Sequence, residues 1–204
     1  MILTVASYKG GVGKTTTAMQ LAAYLQKLAP TVLFDGDSIK NATKWSERRS
    51  EENGPFPFAI APTEHIAKLT MSGAFTHYVI DTGQKPDNET LKALVEGCDL
   101  LVVPAVPSFL DADGLGQTIR ALQEIEDANY RVLLTRVPHD AIVTALEMRR
   151  ELTNNGVPMF AAEIPRLKAF EKAAGDGLIV NEVKDPNAAR AWSCYEAAGL
   201  ELGL

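Results

Sequence analysis

Cysteine is scarce in these 204 residues: there are two, Cys98 and Cys194, far apart and without a CxxC spacing. That excludes a disulfide framework and a cysteine-built zinc site, and it fits a reducing compartment. Basic residues are also short, with 20 Lys and Arg against 26 Asp and Glu and a formal net charge of -6. A surface dominated by nucleic-acid phosphates is therefore excluded, although a local basic patch is not. Long apolar runs are missing too. Nothing approaches the ~18 residues of a membrane span, and glycines follow the short stretch Met1–Ala6 too soon for a secretory signal. The expectation is a cytoplasmic chain that does not engage membranes. Low-complexity tracts and internal repeats are absent as well, which argues against disorder and solenoids.

What is present alternates. Apolar runs of strand length occur at 2–6, 31–35, 56–61, 78–81, 100–104, 130–135 and 159–164, most of them continuous, as in strands buried on both faces. Helical periodicity fills 15–28, 110–127, 140–154 and 187–198, and Asp111 or Asp113 is placed to begin the second of these. In the first, Ala18, Leu21, Ala22, Leu25 and Leu28 share a face and Pro30 ends the segment. Strand and helix in turn predict an α/β fold, a mostly parallel twisted sheet of about seven strands with helices on both faces. One domain spans 1–204, and residues 50–57, with Glu-Glu-Asn-Gly-Pro, read as a surface loop.

Residues 7–16, SYKGGVGKTT, lie between the first strand and the first helix. Glycines there let the backbone approach an anion, and the helix amino terminus adds a favourable dipole. Gly10, Gly11, Val12 and Gly13 form the loop, Lys14 is placed to reach β- and γ-phosphates, Thr15 to ligate Mg²⁺, and Thr16 opens the helix. The strict G-x-x-x-x-G-K-[ST] pattern fails at Tyr8, and a second lysine, Lys9, precedes the glycines. A plain glycine turn at a helix start is the alternative.

KGGVGKTTTAMQLAAYL resembles the deviant Walker A region of the ParA/MinD superfamily, closest to short ParA-type partition proteins. The resemblance implies a P-loop NTPase fold, ATP and ADP as ligands, and a homodimer in the ATP state. It gives Lys9 the role of reaching the partner's nucleotide, where a cation would link triphosphate binding to assembly. A solvated loop lysine is the plainer reading.

VLFDGDSIKNATKW is similar to the family's D-x-D-P-Q-G-N-A-T switch, which implies that Asp37 orients the attacking water and stands near the metal, with Asn41 beside it. Ser38, Ile39 and Lys40 depart from that pattern, and Asp35 and Asp37 could instead cap the next helix. HYVIDTG resembles a Walker B strand, implying that Asp81 holds Mg²⁺ through water; Gly83 and Gln84 replace the usual Pro-Pro. VLLTRVP and AAEIPRLKAFEKAAGDGLIV match segments near the base, implying contacts from Thr135, Arg136, Ile164 and Pro165. Thr135 could equally satisfy a nearby carbonyl with its hydroxyl.

By this resemblance the chain is an Mg²⁺-dependent ATPase that switches between monomer and dimer to segregate or position DNA or other cargo. A ParB-like stimulating protein and nonspecific DNA are the implied partners, with nucleoid association in the ATP state. Arg149, Arg150, Arg166, Lys168, Lys172, Lys184 and Arg190 could supply the DNA-facing charge. The cysteines do not match the cluster ligands of nitrogenase iron proteins, and the last residues, ARAWSCYEAAGLELGL, are too poor in basic side chains for a MinD-type membrane helix. The alternatives are a dethiobiotin-synthetase-like enzyme on the same scaffold, or a nucleotide-binding module without hydrolysis.

Overall fold

The computed structural model describes residues 1–83, 86–108, 112–139 and 142–204. Its sheet is built from β1 (Ile2–Val5), β2 (Thr31–Gly36), β3 (Ala59–Pro62), β4 (His77–Thr82), β5 (Leu100–Ala105), β6 (Tyr130–Val137) and β7 (Met159–Pro165). Every pairing is parallel, in the order β3-β2-β4-β1-β5-β6-β7. The expected α/β class and seven-stranded sheet are thus observed. The 56–61 strand begins only at Ala59, because Pro55 and Pro57 have no N–H to offer a ladder.

The helices are α1 (Lys14–Gln26), α2 (Asn41–Glu47), α3 (Ile66–Ser72), α4 (Asn88–Glu96), α5 (Ala112–Gln123), α6 (Ile142–Asn154), α7 (Lys168–Asp176) and α8 (Ala188–Leu200). Asp111, one of the two residues expected to start α5, lies outside the described residues, as does Gln84 of the second switch. Consecutive strand residues point to opposite faces, so the sheet separates two cores. Leu100, Val102 and Leu133 join α1, α2, α7 and α8 on one side; Leu101, Val103 and Leu134 join α4, α5 and α6 on the other.

α1 is more buried than a one-faced helix. Thr17, Met19, Gln20 and Ala23 are covered along with the expected stripe, because α8 packs on its outer side through Ala191, Tyr195 and Ala198. Leu28, assigned to the buried stripe, lies past the helix end and is 54% exposed. α8, the segment weighed for membrane attachment, spends its apolar face in this core. Among the described residues no helix is long and apolar enough to cross a membrane.

α2 is tied down at several points. Trp45 Nε1 donates to the Leu178 carbonyl at 3.0 Å, Arg48 to the Ala174 carbonyl at 2.9 Å, and Arg49 forms a two-pronged pair with Glu182 at 2.8 and 2.9 Å. At Gly177 the chain is left-handed, φ 67°, and a β-carbon would sit 2.2 Å from the Arg49 amide nitrogen, so only glycine ends α7 there. These contacts hold the segment after Asp37 against the segment after Ile164 and Pro165.

The outer edge of β7 is closed by side chains. Glu201 accepts from the Ala161 and Ala162 amides, both at 2.8 Å, and Arg149 donates to the Phe160 carbonyl at 2.8 Å while pairing with Glu163. An edge so occupied offers no ladder to another chain. Removing the Glu201 carboxylate with Glu201→Ala should cost about 1–3 kcal/mol in urea unfolding and increase self-association on light scattering. Lys92→Ala, which removes the solvated Lys92–Glu96 pair at 3.7 Å, should change stability by less than ~0.5 kcal/mol.

Candidate functional site

The carboxyl ends of β1, β2, β4 and β6 open on a cavity of about 430 Å³. One end is lined by Gly10, Gly11, Gly13, Lys14, Thr15 and Thr16, the other by Ile164, Pro165, Leu167, Phe170 and Ala174, with Thr135 and Arg136 between them and Asp37 and Asn41 at the side. The structure therefore brings together most of the residues singled out in the sequence. Val12 is an exception in detail: it is 3% exposed beneath the loop, and its carbonyl accepts the Thr135 hydroxyl at 2.7 Å. Of the two readings left open for Thr135, satisfying a carbonyl is what its single proton does, with the Ala105 carbonyl also near at 3.3 Å.

The loop is shaped by two left-handed glycines, Gly11 at φ 75° and Gly13 at φ 87°, the second serving as the amino-terminal cap of α1. No acidic side chain stands in the first helical turn and no side chain caps it. The positive end of α1 is thus left for an external anion. Arg136 clamps the loop from the side, donating to the Gly11 carbonyl at 2.6 Å from a left-handed backbone, φ 50°. Lys14 donates to the Lys9 carbonyl at 3.2 Å. Burial pushes its ammonium below the usual lysine range, partly offset by the charges of Asp81 and Asp37.

Lys9 does not line the cavity. Its stem lies along α5, where a β-carbon on Gly114 would approach its Cβ to 3.4 Å and its Cδ to 3.5 Å. The preceding Tyr8 is anchored on the same side, its amide to Thr118 Oγ1 at 3.3 Å and its hydroxyl to Asn88 Oδ1 at 2.6 Å. Lys9 thus sits on the outer flank of the phosphate loop.

The carboxylates divide by role. Asp35 is fully buried and spent on structure: it accepts from the Thr43 amide at 2.8 Å and hydroxyl at 2.6 Å and from the Asp37 amide at 3.2 Å, capping the first turn of α2. Asp37 is 5% exposed and lines the cavity, held by the Ile39 amide at 3.0 Å and Asn41 Nδ2 at 2.6 Å. Lys40 takes the left-handed conformation, φ 56°, with its ammonium on the Asp35 carbonyl at 3.1 Å. The glycine expected from the switch pattern is absent, yet the backbone keeps the shape a glycine would favour.

Asp81 is the outlier. It is 0% exposed and neither carboxylate oxygen has a hydrogen bond of acceptable geometry. Burial pushes it up to about 7; the Thr15 hydroxyl draws it down, Asp35 raises it, Lys14 lowers it and Asp37 raises it again. A buried carboxylate without a partner is costly unless a cation joins it. Beside the Thr15 hydroxyl it suits Mg²⁺, which keeps several waters and takes only one or two protein oxygens. Among the described residues no group of three or more His, Cys, Asp or Glu could enclose a metal by itself.

Phe170, Leu167, Ala174 and Tyr195 complete the apolar end, and reading the sequence alone missed them as site residues. Phe170 carried a signal, the F-x-x-A following Ile164 and Pro165. Tyr195 carried none: it arrives from α8, fully buried, with its hydroxyl 3.1 Å from Thr17 Oγ1 and its ring edge-on to Phe170 at 5.6 Å.

Comparison with known proteins agrees with the fold. Residues 3–180 match the family model described as the CobQ/CobB/MinD/ParA nucleotide binding domain. The chain is 36% identical over 202 residues to the maintenance of carboxysome distribution protein A of Gloeobacter kilaueensis, covering 98% of this chain and 93% of that protein. Two solved structures share the fold: the MinC:MinD cell division complex of Aquifex aeolicus, with TM-score 0.76, 17% identity and coverage of 100% of this chain and 96% of that one; and an ATP complex of a Cyanothece McdA Asp-to-Ala variant, with TM-score 0.72, 19% identity and coverage of 97% and 96%.

The Asp81 environment has a consequence for stability. An ordinary carboxyl ionises near 3.8 and this one near 7 in the fold. The folded chain therefore holds a proton that the unfolded chain has released, and stability falls as pH rises through that interval, by about 4 kcal/mol in all. In urea unfolding with chelator and no nucleotide, Asp81→Asn should gain on the wild type by about 3 kcal/mol between pH 5 and pH 8. Parallel pH profiles for the two proteins would contradict this.

Proposed function

Because the chain belongs to the CobQ/CobB/MinD/ParA nucleotide-binding domain family, we propose that it is an ATP-dependent dimerisation switch that hydrolyses ATP slowly and positions an intracellular cargo. The observation that carries the reading is the pair of lysines on one loop: Lys14 facing Asp81 and Asp37 inside the cavity, and Lys9 on the outer flank against α5. The inner one serves the chain's own nucleotide. The outer one serves a nucleotide held by a second copy.

In this reading the phosphates lie over Gly10–Thr16 and the base sits between Ile164, Pro165 and Phe170. Thr15, Asp81 and Asp37 would hold Mg²⁺, which when bound would neutralise phosphate charge. Lys14 turns from the Lys9 carbonyl to the β- and γ-phosphates. Asp37, fixed by Ile39 and Asn41, orients water for in-line attack on the γ-phosphorus. Lys9 of a second copy completes the charge balance, an effect that trans cations in phosphoryl transfer bring at ~10³–10⁵ in rate. Release of the terminal phosphate then removes the reason to remain paired.

The 36% identity over nearly the whole chain to a protein named for carboxysome distribution favours a protein assembly as cargo, with a small stimulating partner in the place a ParB-like protein takes in partition systems. Nonspecific DNA is the proposed track. Two of the basic residues considered for it are otherwise engaged, Arg149 with Glu163 and Lys172 with Asp185. Arg150, Arg166, Lys168, Lys184 and Arg190 remain exposed for that task.

Chain mass in solution tests the switch. With Mg²⁺ and ATP the wild type should be a dimer, with ADP a monomer, and Lys9→Ala should stay monomeric with ATP while still binding it. The ATP dimer should retain duplex DNA at low salt and lose at least ~10-fold in affinity on a fourfold rise in salt, as a few phosphate contacts require. Asp37→Ala should dimerise but release phosphate at least ~10²-fold more slowly. Unchanged release would assign the chain to nucleotide binding without hydrolysis by this carboxylate, and ATP-independent mass would reject the switch.

A further inference from the structure

The strands carrying the two site carboxylates touch through two glycines. β2 and β4 run in parallel register, Asp35 opposite Asp81 and Gly36 opposite Thr82. A β-carbon on Gly36 would lie 2.9 Å from the Asp81 carbonyl oxygen. One on Gly83 would lie 3.0 Å from the Asp37 α-carbon, 3.2 Å from the Gly36 carbonyl oxygen and 3.4 Å from Asp37 Oδ1. Gly83 is not among the residues at positive φ. Its backbone is one any residue adopts, so glycine is needed there for space and not for conformation.

Asp37 has little freedom to yield to a side chain at position 83. Its amide is held by Asp35 Oδ1 at 3.2 Å, one carboxylate oxygen by the Ile39 amide at 3.0 Å and the other by Asn41 Nδ2 at 2.6 Å. The opposing strand end is equally fixed, since the Thr82 hydroxyl donates to the Val5 carbonyl at 2.8 Å. The switch pattern that this chain resembles has proline at position 83, whose ring carries a β-carbon that this packing would admit only by a shift of a few tenths of an ångström.

We propose that Gly83 is a positioning residue for Asp37: its missing side chain lets the end of β4 lie directly against the Asp37 backbone and so sets the carboxylate's place relative to Asp81. Through Gly36 and Gly83 the two switch segments share one backbone contact and move together. The inference rests on the reading of Asp37 as the residue that orients water, and its consequence is selective. A methyl group at position 83 displaces Asp37 by a few tenths of an ångström, which affects in-line geometry far more than nucleotide affinity.

The test compares full-length wild type, Gly83→Ala, Asp37→Ala and the double variant. Gly83→Ala should bind ATP within ~3-fold of wild type and turn it over ~10-fold more slowly. In the Asp37→Ala background the same change should alter residual turnover by less than ~2-fold, because its effect passes through the missing carboxylate. Without nucleotide, the Ile39 amide should exchange faster in Gly83→Ala than in wild type, by hydrogen exchange read with NMR. Unchanged turnover together with an unchanged Ile39 amide overturns the proposal, as does an equal drop in both backgrounds. A wild type that hydrolyses no ATP rejects the functional reading instead and leaves the exchange measurement to decide the positional claim. Should Gly83→Ala not fold, an Asp37 Hα to Gly83 Hα cross-peak in wild type, present with and without Mg²⁺ and ATP, supports the contact, and its absence or its loss on loading overturns it.

Discussion

A carboxylate buried without a partner organises this molecule. Asp81 lies one residue before the end of β4, between β2 and β1, where it is fully buried and neither oxygen has a hydrogen bond of acceptable geometry. Such a group costs several kcal/mol to keep charged and is retained where a ligand repays it. Lys14 stands opposite in the converse condition, a cation depressed by burial and resting on a backbone carbonyl. In the proposed function a phosphate-bound cation relieves both conditions at once.

The walls are held by packing of unusual closeness. Gly36 and Gly177 leave no room for a β-carbon against another segment's backbone, and one at Gly83 would crowd the Asp37 backbone; Arg136 and Thr135 both donate to carbonyls of the phosphate loop. α2 is pinned to the end of α7 by Trp45, Arg48 and Arg49, which ties the Asp37 side of the cavity to its apolar end. In the proposed switch a change in the phosphates passes to Asp37, α2 and α7 together. Lys9 joins this frame through its backbone, its carbonyl accepting Lys14 and its amide donating to Ser7, while its stem lies along α5.

The parts of this design that could be read in advance were the contiguous ones. The glycine loop, Lys14 and Thr15 are adjacent in sequence, and Asp35 and Asp81 each close an apolar run, so order and periodicity sufficed. All seven strands were legible because most are buried on both faces. Short helices were not: α2 and α3 have seven residues each, fewer than two full repeats of a hydrophobic stripe, and α3 buries no side chain. Tyr195 and the Arg149 edge clamp come from residues brought together only by the fold. Lys40 shows the opposite failure, because a left-handed turn hidden behind a lysine leaves no trace in composition.

If Asp81, pushed up to about 7 by burial, takes up the cation carried by nucleotide as proposed, binding must release its proton. Titration calorimetry of Mg²⁺ and ATP into the protein at pH 7, in buffers of different ionisation enthalpy, measures the protons exchanged on binding. Wild type should release about half a proton beyond that seen with Asp81→Asn. Equal proton exchange in the two proteins would contradict it.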